Sequence, residues 1–381
     1  MEFLNIKPDA FGLDISDLSF KIAKLKKRGK FLTLSSFLER DISPNIVKDG
    51  EIKDENSLVK IIKEALSKTI GGKLKTKHVV ASLPEEKAFL QVIQLPKMPE
   101  EDLKSAVIYE AENYVPLPIE EVYLDSQIVL PLQNHLDHFD VLIAALPRKI
   151  VDPYVSCLKK AGLYPKALEI ESLAIARALI KKEASPSPAL LIDLGATKTN
   201  FIIFSGYSIR FTSSIPVSSQ QFTEAIAKNL NADFKKAEEL KIKYGLNVAK
   251  KIILRKKSKD QQFEKEIIGD ERIFEALTPA LTDLTEQIKK CLSFYQTHAF
   301  HEHLPSGKKD VEKIFISGGG ANLKGLADFL SLELGIPVAL ANPWINILPE
   351  PLKEVPKLSF EESLKYTTAL GLALRGVRTY D

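Results

Sequence analysis

One pattern that occurs twice constrains this chain more than any other. Gly12-Leu13-Asp14-Ile15-Ser16-Asp17-Leu18-Ser19-Phe20-Lys21 and Leu191-Ile192-Asp193-Leu194-Gly195-Ala196-Thr197-Lys198-Thr199-Asn200 share a layout. Each is an apolar strand, an aspartate, one apolar residue, a small residue and small polar residues leading into a second strand. A tight turn of small residues lets backbone N–H groups approach phosphate oxygens. The aspartate beside it suits a hydrated Mg²⁺ bridging those phosphates. One such hairpin is commonplace. Two with the same layout, about 180 residues apart, form a coarse duplication that points more specifically to phosphate turns. A third turn, Ile314-Phe315-Ile316-Ser317-Gly318-Gly319-Gly320-Ala321-Asn322, runs a strand into three glycines and then a helix. Backbone without side chains can lie against a base or sugar, with the helix N-terminus nearby. A dinucleotide turn would need an acid ending the next strand. That strand ends in Asn342 instead, and no GxxxxGK[ST] loop is present.

The 381 residues predict two to three domains or subdomains. Apolar residues make up 45% and charged residues 27%, which excludes a disordered or collagen-like chain. With 53 Lys+Arg against 50 Asp+Glu, net +3, the totals give no sign of nucleic-acid or acidic-membrane binding. Cys157 and Cys291 read as reduced thiols of a cytosolic protein. The longest apolar runs, such as Val141–Leu146, fall far short of the roughly 20 residues of a membrane span. The N-terminus lacks a signal-peptide pattern. The expectation is a soluble protein with no direct membrane insertion, reaching a membrane only through a partner.

Along the chain, Phe11–Leu25 reads as strand, turn and strand, and the run Lys26–Lys30 as a solvated hairpin tip. Leu58, Ile61, Ile62, Ala65 and Leu66 share one face of a helix over residues 54–69. Two strands follow. Prolines at 96 and 99 open a new unit, with Glu100, Glu101 and Asp102 in the first turn of its helix. Ser185–Pro188 reads as a linker. Residues 222–244 and 273–300 read as helices, residues 246–270 as short strands, and 361–376 as one closing helix. His298, His301 and His303 are spaced for zinc but lack a fourth ligand, so they read as an exposed helix end. The basic run from Lys250 lacks the aromatics of a nucleic-acid platform and reads as a solvated strand edge.

The three turns in this order resemble those of the actin-like ATPase superfamily. KMPEEDLKSAVIYEAENYVPLPIEEVYLDSQIVL is similar to the inserted subdomain of the PilM family of type IV pilus assembly. ALEIESLAIARAL, FKKAEELKIKYG and TTALGLALRG fit the same family, so the resemblance covers essentially the whole chain. It implies an α/β, actin-like ATPase (ribonuclease H-like) two-lobed fold with a small inserted α/β subdomain. Residues 1–96 would begin the first lobe, 97–165 form the insert and 166–187 the connecting helix. Residues 188–221 would carry the second phosphate turn, 222–310 an outer subdomain, 311–360 the adenosine turn and 361–381 a helix closing the first lobe.

The resemblance also implies ATP with Mg²⁺ in the interlobe cleft. Asp14 and Asp193 would hold the metal and orient water. Ser16, Lys21, Gly195, Ala196 and Thr197 would contact phosphate. Gly318, Gly319 and Gly320 would form the adenosine turn, and Glu238 and Lys241, which share a helix face, would meet ribose and adenine. Glu171 is placed to polarise a water. Ser16 stands where the family usually has glycine, and Asp17 would point near the triphosphate, so at most slow ATPase activity is expected. The implied role is a cytoplasmic scaffold, peripheral to the inner membrane, that recruits the N-terminal cytoplasmic tail of a PilN-like single-span membrane protein. Self-association is open. The alternatives are an FtsA-like division protein, disfavoured because Arg375–Asp381 leaves no room for an amphipathic helix, and a sugar or acid kinase.

Overall fold

A computed structural model describes residues 9–29, 31–131, 137–246, 261–298, 309–349 and 355–377. The first lobe begins with β1 (Phe11–Ile15), β2 (Ser19–Arg28) and β3 (Phe31–Asp41). A small hairpin, β4 (Val47–Lys48) and β5 (Glu51–Ile52), precedes α1 (Glu55–Leu66). Asp54 caps α1 by accepting from Ser57 N, and the apolar stripe read from the sequence supplies its buried residues Leu58, Ile62 and Ala65. Then come β6 (His78–Leu83) and β7 (Phe89–Pro96), α2 (Glu100–Ala111), β8 (Val122–Val129) and β9 (His138–Pro147). The lobe closes with α3 (Arg148–Lys160), β10 (Tyr164–Ile170) and α4 (Glu171–Leu179).

The second lobe contains β11 (Ser185–Leu194), β12 (Thr199–Gly206), β13 (Ser208–Ile215), α5 (Ser219–Leu230) and α6 (Phe234–Tyr244). It continues through α7 (Gln261–His298), β14 (Lys313–Ser317), α8 (Leu326–Leu334) and β15 (Val338–Leu340). Two last helices follow, α9 (Phe360–Leu364) and α10 (Thr367–Val377).

Each lobe is built on a five-stranded sheet, ordered β10-β6-β1-β2-β3 and β13-β12-β11-β14-β15. The two correspond strand for strand. β1 is antiparallel to β2 and parallel to β6, as β11 is antiparallel to β12 and parallel to β14. The register repeats as well: Asp14 lies opposite Lys21, and Asp193 opposite Asn200. Parallel strands covered on both faces read as continuous apolar runs, and β1 is buried along its whole length.

Helices α4 and α10 join the lobes. Ile175 and Leu179 of α4 sit in the second lobe's core, whereas α10 lies against α4, β1 and β2. That contact is backbone-close: a β-carbon on Gly371 would stand 1.9 Å from Ala174 O, and one on Gly12 2.2 Å from Ala369 O.

Several expectations change in detail. A separate three-stranded sheet, β7-β9-β8, carries α2. It takes in β7, while α3 packs in the first lobe's core and β10 pairs with β6. The small sheet therefore spans residues 89–147 rather than 97–165, because strand pairing sets the unit and the prolines fall inside it. Ser185–Pro188 is no linker but the start of β11, whose proline Pro188 lies on the stretch left out of the β12 register. The closing helix is two helices, α9 and α10, and the Leu364 carbonyl at the break accepts from Gly318 N at 3.0 Å. Lys30, His301, His303 and the run from Lys250 fall outside the described residues. Among those described, no helix is long and apolar enough to cross a membrane. Both cysteines are buried and unpaired, and burial pushes each thiol up to about 12.

Candidate functional site

The two matched hairpins face each other across a cleft of about 180 Å³. Its lining includes Asp14, Ser16, Lys21, Glu171, Asp193, Gly195, Ala196, Thr197, Gly318 and Gly319. In each hairpin the turn closes the same way: Ser16 N donates to Ser19 O, and Gly195 N to Lys198 O, both at 2.9 Å. At Gly195 a β-carbon would stand 2.8 Å from Lys198 O. Ser16 accommodates its side chain because the hydroxyl donates to Ser19 O at 2.8 Å. The serine at the first turn is thus compatible with the same turn closure.

Burial dominates the electrostatics of the floor. It raises the Asp14 carboxyl, opposed by Lys21 and a hydrogen bond from Ser82. Asp193 is pushed up to about 6, by burial first and by the charge of Asp14 second, although Ser317 Oγ donates to it at 3.1 Å. Glu171 is pushed up to about 8 by burial, against the pull of Lys198. Asn200 Nδ2 donates to Glu171 at 3.1 Å, and Lys198 Nζ lies 3.2 Å from it. Burial alone would lower Lys198, but Glu171 and Glu86 outweigh it and hold the ammonium above its ordinary value. Two buried aspartates, one raised by the other's charge, form a site that a divalent cation would relieve. Mg²⁺ needs only one or two protein carboxylates, its other ligands being water and phosphate, so Asp14 and Asp193 fit that ion. No cluster of three or more His, Cys, Asp or Glu suited to a metal occurs among the described residues.

The three glycines of the third turn serve different ends. Gly318 has φ 84°, and a β-carbon there would meet Leu194 O at 2.4 Å. At Gly320 a β-carbon would stand 2.5 Å from Leu194 Cγ, and the residue does not line the cleft. At Gly319 a β-carbon would meet only Lys365 Cβ, at 3.9 Å, so the space beside it is open. Residues Gly319–Asn322 form a short 3-10 turn, and α8 starts only at Leu326, so no long helix opens directly behind the glycines.

Asp17 points elsewhere than expected. Its carboxylate accepts from Gly50 N at 3.0 Å and Asp49 N at 3.2 Å, and it does not line the cleft. The two amides of the β4–β5 turn draw it outward. Glu238 and Lys241 also stand off the cleft lining, paired at 2.7 Å. Lys241 is buried and donates to Ser219 O at 3.0 Å, on the helix whose first amides bond the second Asp turn. Burial lowers Lys241, with Glu238 opposing.

Residues missed in the sequence complete the cleft: Glu39, Lys198, Lys365 and Thr368 line it. Lys365 pairs with Glu39, and Lys198 with Glu86. Only tertiary structure brings these partners together, although Lys198 lies within the second turn itself.

The Type IV pilus assembly protein PilM family matches residues 12–377. The chain belongs to the PilM family. A solved PilM-PilN type IV pilus biogenesis complex is 29% identical to it, with TM-score 0.77 over 98% of this chain and all of that one. MreB5 of Spiroplasma citri bound to ADP shares the fold, with TM-score 0.55 at 14% identity, covering 97% of this chain and 96% of that one. The actin-like two-lobed α/β fold is therefore established for this PilM family member. Cell division protein FtsA of Enterococcus hirae is 27% identical over 205 residues, 52% of this chain and 43% of FtsA. FtsA of Pseudomonas aeruginosa is 23% identical over 58% of this chain and 50% of its own length. The chain thus spans about half the length or less of the curated relatives it matches first, and the PilM match, not FtsA, covers it nearly end to end.

Proposed function

We propose that this chain is an ATP-binding scaffold of a type IV pilus inner-membrane platform, which captures the N-terminal cytoplasmic tail of a PilN-like membrane protein. The observation that carries the nucleotide half is the meeting of two turns in identical register with an open glycine turn. Backbone amides of the turns, with Lys21, would hold phosphates, and Asp14 with Asp193 would hold Mg²⁺. Gly319 leaves room for the nucleoside. Mg²⁺, when bound, neutralises phosphate charge. Burial raises the Glu171 carboxyl against the pull of Lys198. Lys198 and Asn200 already engage its oxygen.

The partner half rests on membership of the PilM family and on the likeness, at 29% identity, to the solved PilM-PilN complex. The tail would dock beside the β7-β9-β8 sheet, which holds most of the run 97–130 that resembles the family's inserted subdomain. An extended segment held by a few apolar side chains, offset by its own ordering, gives roughly micromolar affinity. A fluorescent peptide of the partner's N-terminal tail, titrated with the full chain, is expected to bind in that range. Saturable binding that leaves the amide signals of residues 89–147 unmoved in NMR would place the tail elsewhere. No binding at millimolar concentration would remove the scaffold reading.

A further inference from the structure

The cleft's 180 Å³ is below the roughly 300 Å³ at which small-molecule pockets usually begin. A site that narrow makes the contacts tying the lobes across it matter to how a nucleotide is held. Lys198 makes one of those ties. It projects from the second lobe's turn and pairs with Glu86 and Glu171 of the first-lobe side. Its side chain and that of Glu86 are each about one-fifth exposed, and Lys198 lines the cleft.

Glu86 occupies a distinctive place. It is the middle of the 3-10 turn Glu85–Lys87, which joins β6 of the first-lobe sheet to β7 of the small sheet. Its neighbours fasten the same turn on other sides. Glu85, buried, accepts from Ser172 N of α4 at 3.1 Å. Lys87 pairs with Glu51 of β5 at 3.1 Å. Residues Ala88–Val92 and Thr212 line a second cavity of about 470 Å³, between the small sheet and the second lobe. One three-residue turn therefore stands between the charged cleft and the larger groove.

We propose that Lys198 reads phosphate: in the nucleotide-free chain Glu86 holds its ammonium, and a polyphosphate in the cleft displaces Glu86 and loosens the turn that roots β7. The inference rests on the nucleotide reading above. The chemistry is a competition of anions for one cation. A polyphosphate carries more charge than a single carboxylate and presents several acceptor oxygens. Glu171, more deeply buried than Glu86, keeps its contact with Lys198, so the exposed partner is the one exchanged. Ligand binding and release of the turn are then linked, and the linkage is reciprocal.

The test uses the full chain with Mg·ATP, Mg·tripolyphosphate and adenosine, by calorimetry and by hydrogen exchange of residues 84–92. E86Q is expected to tighten Mg·ATP and Mg·tripolyphosphate about fivefold or more, leaving adenosine unchanged. K198M weakens both phosphate ligands and spares adenosine, and K198R restores them. In the wild type, Mg·ATP speeds exchange over residues 84–92. In E86Q exchange is fast without ligand and does not respond. Thermal melts of each variant establish that it is folded. Wild-type binding of Mg·ATP with E86Q unchanged in affinity and exchange overturns this proposal alone. Failure of the wild type to bind any of the three ligands overturns the cleft reading and this proposal with it.

Discussion

The first turn and the second close on the same hydrogen bond, yet they are supported differently. In the first, Asp14 faces Lys21 across the hairpin, and Lys21 Nζ donates to Ser19 Oγ at 2.9 Å. In the second, Asn200 takes the place of Lys21, and the cation comes from Lys198 within the turn itself. The second turn also has a helix behind it, since Ser219 N donates to Gly195 O at 3.0 Å and Gln220 N to Ala196 O at 3.1 Å. The first has no such helix; Asp17 instead ties it to the β4–β5 turn. Duplication has kept the backbone and the aspartate, and has let the counter-charge move.

The largest expected effect concerns the acid between the turns. Glu171 is raised from about 4.5 to about 8, so the folded chain binds a proton there that the unfolded chain has released. Stability contributed by the protonated form is present below the unfolded value and is lost as pH rises through the folded one. The loss amounts to a few kcal/mol by order of magnitude, about 1.4 kcal/mol per unit. Thermal melts from pH 5 to 8.5 should show stability falling, and E171Q should flatten the profile. A wild-type profile that rises over this range contradicts the assignment.

Next in size are the paired aspartates. If the two turns grip one metal, Asp14→Asn and Asp193→Asn each weaken Mg·ATP by about 10- to 100-fold, the loss of one charged contact. Similar losses in titration calorimetry support equal turns. A strong loss for one and none for the other would show that the duplication is structural only.

The smallest effect separates support from binding. Asp17→Ala removes two amide contacts at the partly exposed β4–β5 turn and should cost about 1 kcal/mol in denaturant melts. Nucleotide affinity should not change, because the carboxylate points out of the cleft. A clear gain in affinity would restore the view that Asp17 repels the triphosphate.

Much of this is legible in the sequence because short-range rules govern it. The repeated Asp turn follows from alternation and small residues, and α1 from its apolar stripe. The glycine turn is legible as a group, but not as three roles; which glycine needs φ above zero depends on where Leu194 passes. What cannot be read is long-range. Nothing near Lys198 in the chain announces Glu86, 112 positions earlier. Asp17 is misplaced by a local reading because its partners, Asp49 and Gly50, lie beyond the hairpin. The small sheet's edges are misdrawn because prolines mark local breaks, while β7 and β10 choose their sheets by pairing.

The central claim is that both turns and the glycine turn serve one nucleotide. The most direct measurement is calorimetry of Mg·ATP against the wild type and Gly319→Val, with unliganded melts of both. Gly319 borders open cleft, and a β-carbon added there would meet nothing nearer than Lys365 Cβ at 3.9 Å outside its own chain neighbours, so valine there should leave the fold intact. The account predicts one Mg·ATP per wild-type chain, no binding to the variant, and melting temperatures that agree without ligand. A flat wild-type titration, or a folded variant that binds Mg·ATP as tightly as the wild type, would contradict it.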